Sequence, residues 1–442
     1  MLSSVVRALH SHYRGRWFKS SSTHQLTCMH WKKIAANTVY QLIGKGVGVV
    51  STIITVALVT RALGVSQFGE YVLITTVPAF LYLVADFGLN AVFLRQIAAD
   101  NHHVQKFGSL LVLRLGLSLL TFLLALSYAF LSPFDPLVKG GIALAATTVF
   151  AQGAYTSLNA LFQHGLRYDL SVAAGIISSI FAVLAFIWGF WQGAGLIFFV
   201  GAWAVTTFVL ALLALALSWR LAERPVFGGD LKFARGLFLA AVPLGLTLIF
   251  SQINWMADVF LLRARDSAEA LGIYRLGYKV FENILPIPIF FVNALYPVML
   301  EDYKRGLSSL WLRMRKSIQI LMAAAVFLAV GGFLLAPLII LILGGQDFSA
   351  STLVMRILVL SLPIFFLTAP LQWFLITVGK EKILPVIYAA AAVLNISINW
   401  FFIPRYSYFA SIAATIAAEG LILILLLVQT IRFRKLAVKA NR

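Results

Sequence analysis

Four basic side chains stand where a lipid bilayer does not tolerate a bare charge. Lys45, Arg114, Arg275 and Lys279 lie within or against long apolar stretches of the 442-residue chain. A charge at mid-membrane costs on the order of 2.5–3.5 kcal/mol, so each must face protein or water. Sharing one cavity, they would favour an anionic headgroup, because arginine forks onto phosphate oxygens and lysine adds a point charge. For Arg114, one to two turns inside its stretch, snorkelling and cavity lining fit equally. Four acids, Asp86, Asp258, Glu282 and Glu419, are placed in the same way. All four are candidate coupling or gating groups for H⁺ or Na⁺, and Asp86 and Asp258 also fit ion pairs with Lys45 or Arg114. Glu419 follows Ala417-Ala418 and also fits a helix–helix hydrogen bond. Gln41, Gln152, Asn159 and Asn254 belong to polar stripes of spacing 3 or 4, hence one helix face each. They read as cavity lining or as polar contacts between helices.

The elements that must hold these groups are membrane helices. Hydrophobic residues make up 61% of the chain and charged residues 12%, where a soluble domain has about 25% charged. The apolar runs are continuous and about 20 residues long, which suits helical spans and excludes an alternating β-barrel. The fold class is an all-α polytopic membrane protein of about twelve spans, near 38–59, 71–93, 109–131, 141–161, 170–191, 194–217, 237–262, 278–299, 317–342, 354–377, 383–403 and 410–431. With the N-terminus inside, the inside segments hold 25 Lys/Arg and the outside segments eight, which places both termini in the cytosol. The net charge of +19 is thus distributed by membrane side, and a nucleic-acid partner is excluded. One outside connection, 263–279, breaks the pattern with four basic residues, as a local exception or as charges that serve a substrate.

An internal repeat divides the chain. Phe68-Gly69-Glu70-Tyr71 after the first span and Leu271-Gly272-Ile273-Tyr274 after the seventh are 203 residues apart, and the spans around them share that offset. The expected organisation is a basic N-terminal tail at 1–36, a first six-helix lobe at 37–217, a cytosolic linker at 218–236, a second lobe at 237–432 and a basic tail at 433–442. Residues 1–28 also fit a start at Met29, or an organelle transit peptide. The single cysteine, Cys28, excludes an internal disulfide and a cysteine metal site, and the seven histidines fall outside or at the ends of the spans. No metal site, cofactor or catalytic group is expected. A membrane polymerase would need a large outer loop, and an acyltransferase an intramembrane histidine.

The run Asn37, Arg61-Ala62-Leu63-Gly64, Phe68-Gly69-Glu70-Tyr71, Phe87-Gly88-Leu89-Asn90 and Arg95 resembles the N-terminal signature of Wzx-type polysaccharide flippases, of the multidrug/oligosaccharidyl-lipid/polysaccharide (MOP) superfamily. Leu394-Asn395, Ile403-Pro404-Arg405-Tyr406 and Ala410 to Glu419 are similar to that family's eleventh-to-twelfth helix segment. Ser407-Tyr408-Phe409-Ala410 departs from its Gly-rich turn. The resemblance covers about 32–435. It implies two pseudo-symmetric six-helix lobes in a V, alternating access, and movement of a polyprenyl-pyrophosphate-linked oligosaccharide between leaflets of a bacterial inner membrane. It places the pyrophosphate against Lys45 and Arg114, and it admits membrane lipids and a glycan polymerase or chain-length machinery as partners. An ion-coupled drug/cation antiporter of the same superfamily is the alternative.

Overall fold

The computed structural model describes residues 22–99, 106–221 and 229–440, with side chains from 39 to 434 apart from 97–105, 222–228, 243, 246, 247, 250, 251 and 254. The described residues are predominantly helical and form no strand. The first half holds α1 (Ser22–Asp86), α2 (Leu89–Ala99), α3 (Phe107–Leu131), α4 (Pro136–Ala146), α5 (Thr148–His164), α6 (Tyr168–Trp191) and α7 (Leu196–Ser218). The second holds α8 (Leu231–Arg265), α9 (Ala268–Ile284), α10 (Pro286–Arg305), α11 (Leu307–Gly344), α12 (Ser351–Leu360), α13 (Leu362–Thr377), α14 (Leu384–Tyr406) and α15 (Tyr408–Ala440).

Among the described residues nine helices are long and apolar enough to cross a membrane, ten if α12 and α13, bent by 42°, are one span. One of these, Val39–Gln96, is 58 residues long. At 1.5 Å per residue it is far longer than one crossing of about 30 Å, and it breaks at Gly64, whose φ is 70°. Its two arms cover the first two expected spans, and the 35-residue α8 covers the expected span at 237–262. Residues 1–21 of the expected N-terminal tail lie outside the described residues, as do 222–228 of the linker and 441–442.

Two expected loops are not loops. Residues 61–71 continue α1, broken only at Gly64. The connection expected over 263–279 reduces to Asp266 and Ser267, so Arg275 and Lys279 lie on α9. Their polarity suggested loops, but a helix that outruns the hydrocarbon layer carries polar residues in its terminal turns. Ser267 starts α9 by accepting the Ala270 amide (3.1 Å).

The repeat is expressed as a reciprocal contact. A Cβ on Gly69 would overlap the carbonyl of Ala268, and a Cβ on Gly272 would overlap the carbonyl of Val65. The offset that relates 69 to 272 also relates 65 to 268, so α1 and α9 cross about a local pseudo-twofold. Glu70 locks the same end: the Arg263 guanidinium forks onto its carboxylate at 2.6–3.1 Å. Arg61, on the first arm just before the break at Gly64, donates to the Ile342 carbonyl at 3.0 Å and so caps the C-terminus of α11. At the last hairpin, Ser407 takes the left-handed turn itself (φ 53°), and α14 and α15 pack along each other.

Candidate functional site

Polar side chains meet in two places. The first is built where α1 stops. Phe87 (φ 43°) and Gly88 (φ 69°) break the helix between Asp86 and Leu89. A positive φ costs a non-glycine residue on the order of 1 kcal/mol. Phe87 is held there by stacking on Phe238 of α8 at 5.2 Å, and its ring fills the space a Gly245 side chain would need. The break turns Asp86 and Asn90 toward α3. Arg114, wholly buried, donates to Asp86 at 3.2 Å, to Asn90 at 2.8 Å and to Ser157 at 3.0 Å. Gly153 of α5 leaves room for its stem. The Asp86 side chain is 29% exposed and that of Arg114 is 0% exposed, so the pair has one open edge. The Arg114 Nε is buried and has no partner. Tyr82 extends the network by donating to Thr156 (2.9 Å), and Asn90 donates to the Thr156 carbonyl (2.8 Å).

The second place lies between α8, α9 and α15. Lys279 reaches Glu282 at 3.3 Å and Arg275 reaches it at 3.7 Å. Asp258 is buried and accepts the Val259 amide (2.9 Å). Tyr274 and Thr415 share a hydrogen bond of 3.3 Å. Nearby, Thr368 donates to the buried Glu419 at 2.6 Å, a bond between helices α13 and α15.

The four cations do not share one cluster. Arg114 is paired with Asp86, which is the structural-pair reading of those residues. Arg275 and Lys279 share Glu282. Lys45 is exposed, and no carboxylate among the described residues pairs with it. Gln41 is exposed beside it on α1. Asn159 accepts from Ser171 (2.9 Å) and so joins α5 to α6. Gln152 accepts from Thr156 through its backbone carbonyl (2.8 Å). The side chain of Asn254 lies outside the described residues. The basic exceptions near 263–279 are each answered by protein: Arg263 by Glu70, Arg265 by the Trp400 ring at 3.8 Å, and Arg275 and Lys279 by Glu282.

Ser157, Thr368 and the Glu70–Arg263 pair were not singled out from the sequence. Ser157 had a faint signal, one turn after Gly153 on a helix already marked polar. Nothing local pairs Thr368 with Glu419, or Glu70 with Arg263, 193 residues away.

Residues 30–301 match the family described as "Polysaccharide biosynthesis protein", and residues 243–401 match the MatE family. No curated protein matches the chain. Among solved structures, a lipid II flippase, MurJ, in an inward closed conformation is similar at a TM-score of 0.74 and 12% identity, over 90% of this chain and 87% of that one. An inward-facing MATE-family multidrug resistance transporter of the MOP superfamily is similar at 0.68 and 14% identity, over 87% of this chain and 96% of that one. A MOP superfamily transporter from Pyrococcus furiosus, described as having a binding pocket of reversed polarity, is similar at 0.60 and 13% identity, over 90% and 95%. These relatives are transporters rather than enzymes. With one family matched from residue 30 to residue 301 and the fold shared along nine-tenths of its length, the chain belongs to the polysaccharide biosynthesis protein family and has the fold of a MOP-superfamily transporter.

Proposed function

We propose that this chain is a flippase that carries a polyprenyl-pyrophosphate-linked oligosaccharide from the inner to the outer leaflet of a bacterial cytoplasmic membrane. The observation that carries the reading is the match of residues 30–301 to a polysaccharide-biosynthesis family. The charge arrangement adds a role for each residue. Arg114 and Asp86 balance one another, and Arg275 and Lys279 are set against Glu282. Lys45 is the cation left unbalanced and exposed, so it meets the anionic group as a point charge. Arg114 positions Asp86 and Asn90 at the break after α1.

The test is the leaflet at which lipid-linked oligosaccharide accumulates in cells that lack the protein. Accumulation on the cytosolic leaflet, cured by wild type and by Lys45→Arg but at least tenfold less by a well-expressed Lys45→Ala, is expected. Cure by Lys45→Ala removes the site and keeps the flippase. Absence of accumulation removes the flippase, and favours the drug/cation antiporter that the MatE match over 243–401 suggests.

Coupling falls on Asp258 and Glu419, which are buried acids away from the Arg114 pair. Transport by Asp258→Asn or Glu419→Gln is expected to lose its dependence on a proton or sodium gradient. Unchanged gradient dependence in both variants would sink this assignment.

A further inference from the structure

A cleft of about 450 Å³ opens at the end of the bundle where α11 begins and α15 ends. Ser308, Trp311 and Arg315 reach it from α11, and Arg434 reaches it from α15. The Arg434 guanidinium lies 4.6 Å from the centre of the Trp311 ring, which fixes its position. Two other arginines at this end are neutralised: Arg313 binds Asp302 at 2.8 Å and Arg305 lies 3.7 Å from Glu301. Arg315 and Arg434 have no carboxylate partner among the described residues. The first turn of α11 adds backbone N–H groups of Leu307 and Ser308, which no intrahelical carbonyl can take. Two guanidinia without a carboxylate partner among the described residues, together with free amides, converge on one concavity as donors for an anion.

The surroundings say which anion. At 38 residues α11 is longer than one crossing, so its first turns, with Trp311, stand in the headgroup layer. Along the same face, a shallow apolar groove of about 680 Å³ follows toward mid-membrane, lined by Ile318, Met322 and Val326 among others. Arg315, Ile318, Met322 and Val326 step by 3 or 4, so head site and groove share one helix face. A polar, cationic cleft that runs into an apolar groove matches an amphiphile with a phosphate head. The loop charges place this end on the cytosolic side.

We infer that α11 and α15 form an inner-leaflet site for an anionic phospholipid, with Arg315, Arg434 and the first turn of α11 on the phosphate and the groove of α11 under an acyl chain. This site is separate from Lys45 and from both polar clusters, and it holds whatever the chain carries. Basic pockets between helices on the cytosolic side are known to suit such headgroups, and each basic residue near an anionic surface is worth roughly fivefold in binding.

The experiment uses the delipidated full chain in detergent. It is titrated with phosphatidylglycerol and with phosphatidylcholine of the same acyl chains, and bound lipid is counted by native mass spectrometry. Wild type is expected to prefer phosphatidylglycerol. Arg315→Gln/Arg434→Gln is expected to lose about thirtyfold in affinity for it, with phosphatidylcholine unchanged, and Arg315→Lys/Arg434→Lys to keep most of it. Met322→Glu, with both arginines kept, is expected to weaken it about tenfold through the groove, and serves if the double glutamine variant fails to fold. Equal retention of phosphatidylglycerol by the glutamine pair and by Met322→Glu overturns the site. Displacement of the lipid by inorganic phosphate at matched concentration shows a free-anion site instead, and overturns the lipid.

Discussion

Gly69→Val or Gly272→Val is expected to abolish transport and to hold open the end of the bundle at which α1 crosses α9. At both positions an added Cβ would overlap a backbone carbonyl of the opposite helix. A carbonyl in a helix cannot swing aside as a side chain can. The helices must therefore separate by more than an ångström, and overpacking of a close contact costs about 1–3 kcal/mol even where the surroundings relax. The cost falls on the conformation in which α1 and α9 touch. The protein folds with this end splayed, and cannot return to the closed arrangement. Thiol labelling reads this out. In a Cys28→Ser background with a cysteine at Val65, Gly69→Val is expected to raise the labelling rate at least tenfold, with the helical circular dichroism unchanged. Because the contact is reciprocal, Gly272→Val must do the same. Glu70→Gln is the graded companion. It removes a charge-assisted fork, worth on the order of 1.5–3 kcal/mol where partly buried, and leaves the glycine contact intact. Faster labelling with transport kept is expected. Wild-type labelling and transport in Gly69→Val would show that this crossing does not close during the cycle.

The glycines also show how far the sequence reached. Phe68-Gly69 and Leu271-Gly272 were legible as a repeat because both sit at the same offset behind apolar spans. That they touch was not legible, since an offset gives equivalence and says nothing of proximity. The membrane-spanning helices were readable from run length alone, because a bilayer fixes the length of its helices. Helix ends were not, since Arg61, Glu70 and Arg275 look like loop residues until their partners are known. The charged residues were found by the same cost argument that makes them rare. Their partners came only from the fold: Asp86 and Arg114 are on helices whose packing no local pattern encodes. A cavity of four cations gave way to balanced pairs and one exposed lysine for that reason. Burial selects for pairing, and a list of charges along a chain does not say which will meet.

The Asp86–Arg114 pair is expected to show a lopsided mutational response. Asp86→Leu leaves a guanidinium that is 0% exposed without its counter-charge, and stranding a buried charge costs about 3–5 kcal/mol. Arg114→Met leaves Asp86, 29% exposed, with access to water, so its charge term is smaller. Asn90 and Ser157 then each lose one hydrogen bond, about 1 kcal/mol apiece. Asp86→Leu should therefore melt lower in detergent than Arg114→Met. The double variant should recover much of the loss, with a coupling energy of about 1–3 kcal/mol, because apolar groups of similar volume can replace a buried pair at little net cost. A double variant no more stable than Asp86→Leu would mean that the pair is not coupled. The same protein separates two roles for Arg114. If the guanidinium holds the break after α1 in place, transport returns in the double variant along with stability. If it takes the phosphate itself, stability returns and transport does not. Its one buried, unpartnered nitrogen leaves a donor for either role, but three of its contacts are already spent on Asp86, Asn90 and Ser157. A ligand would have to displace the carboxylate it is bound to, and the expected outcome is therefore recovery of both.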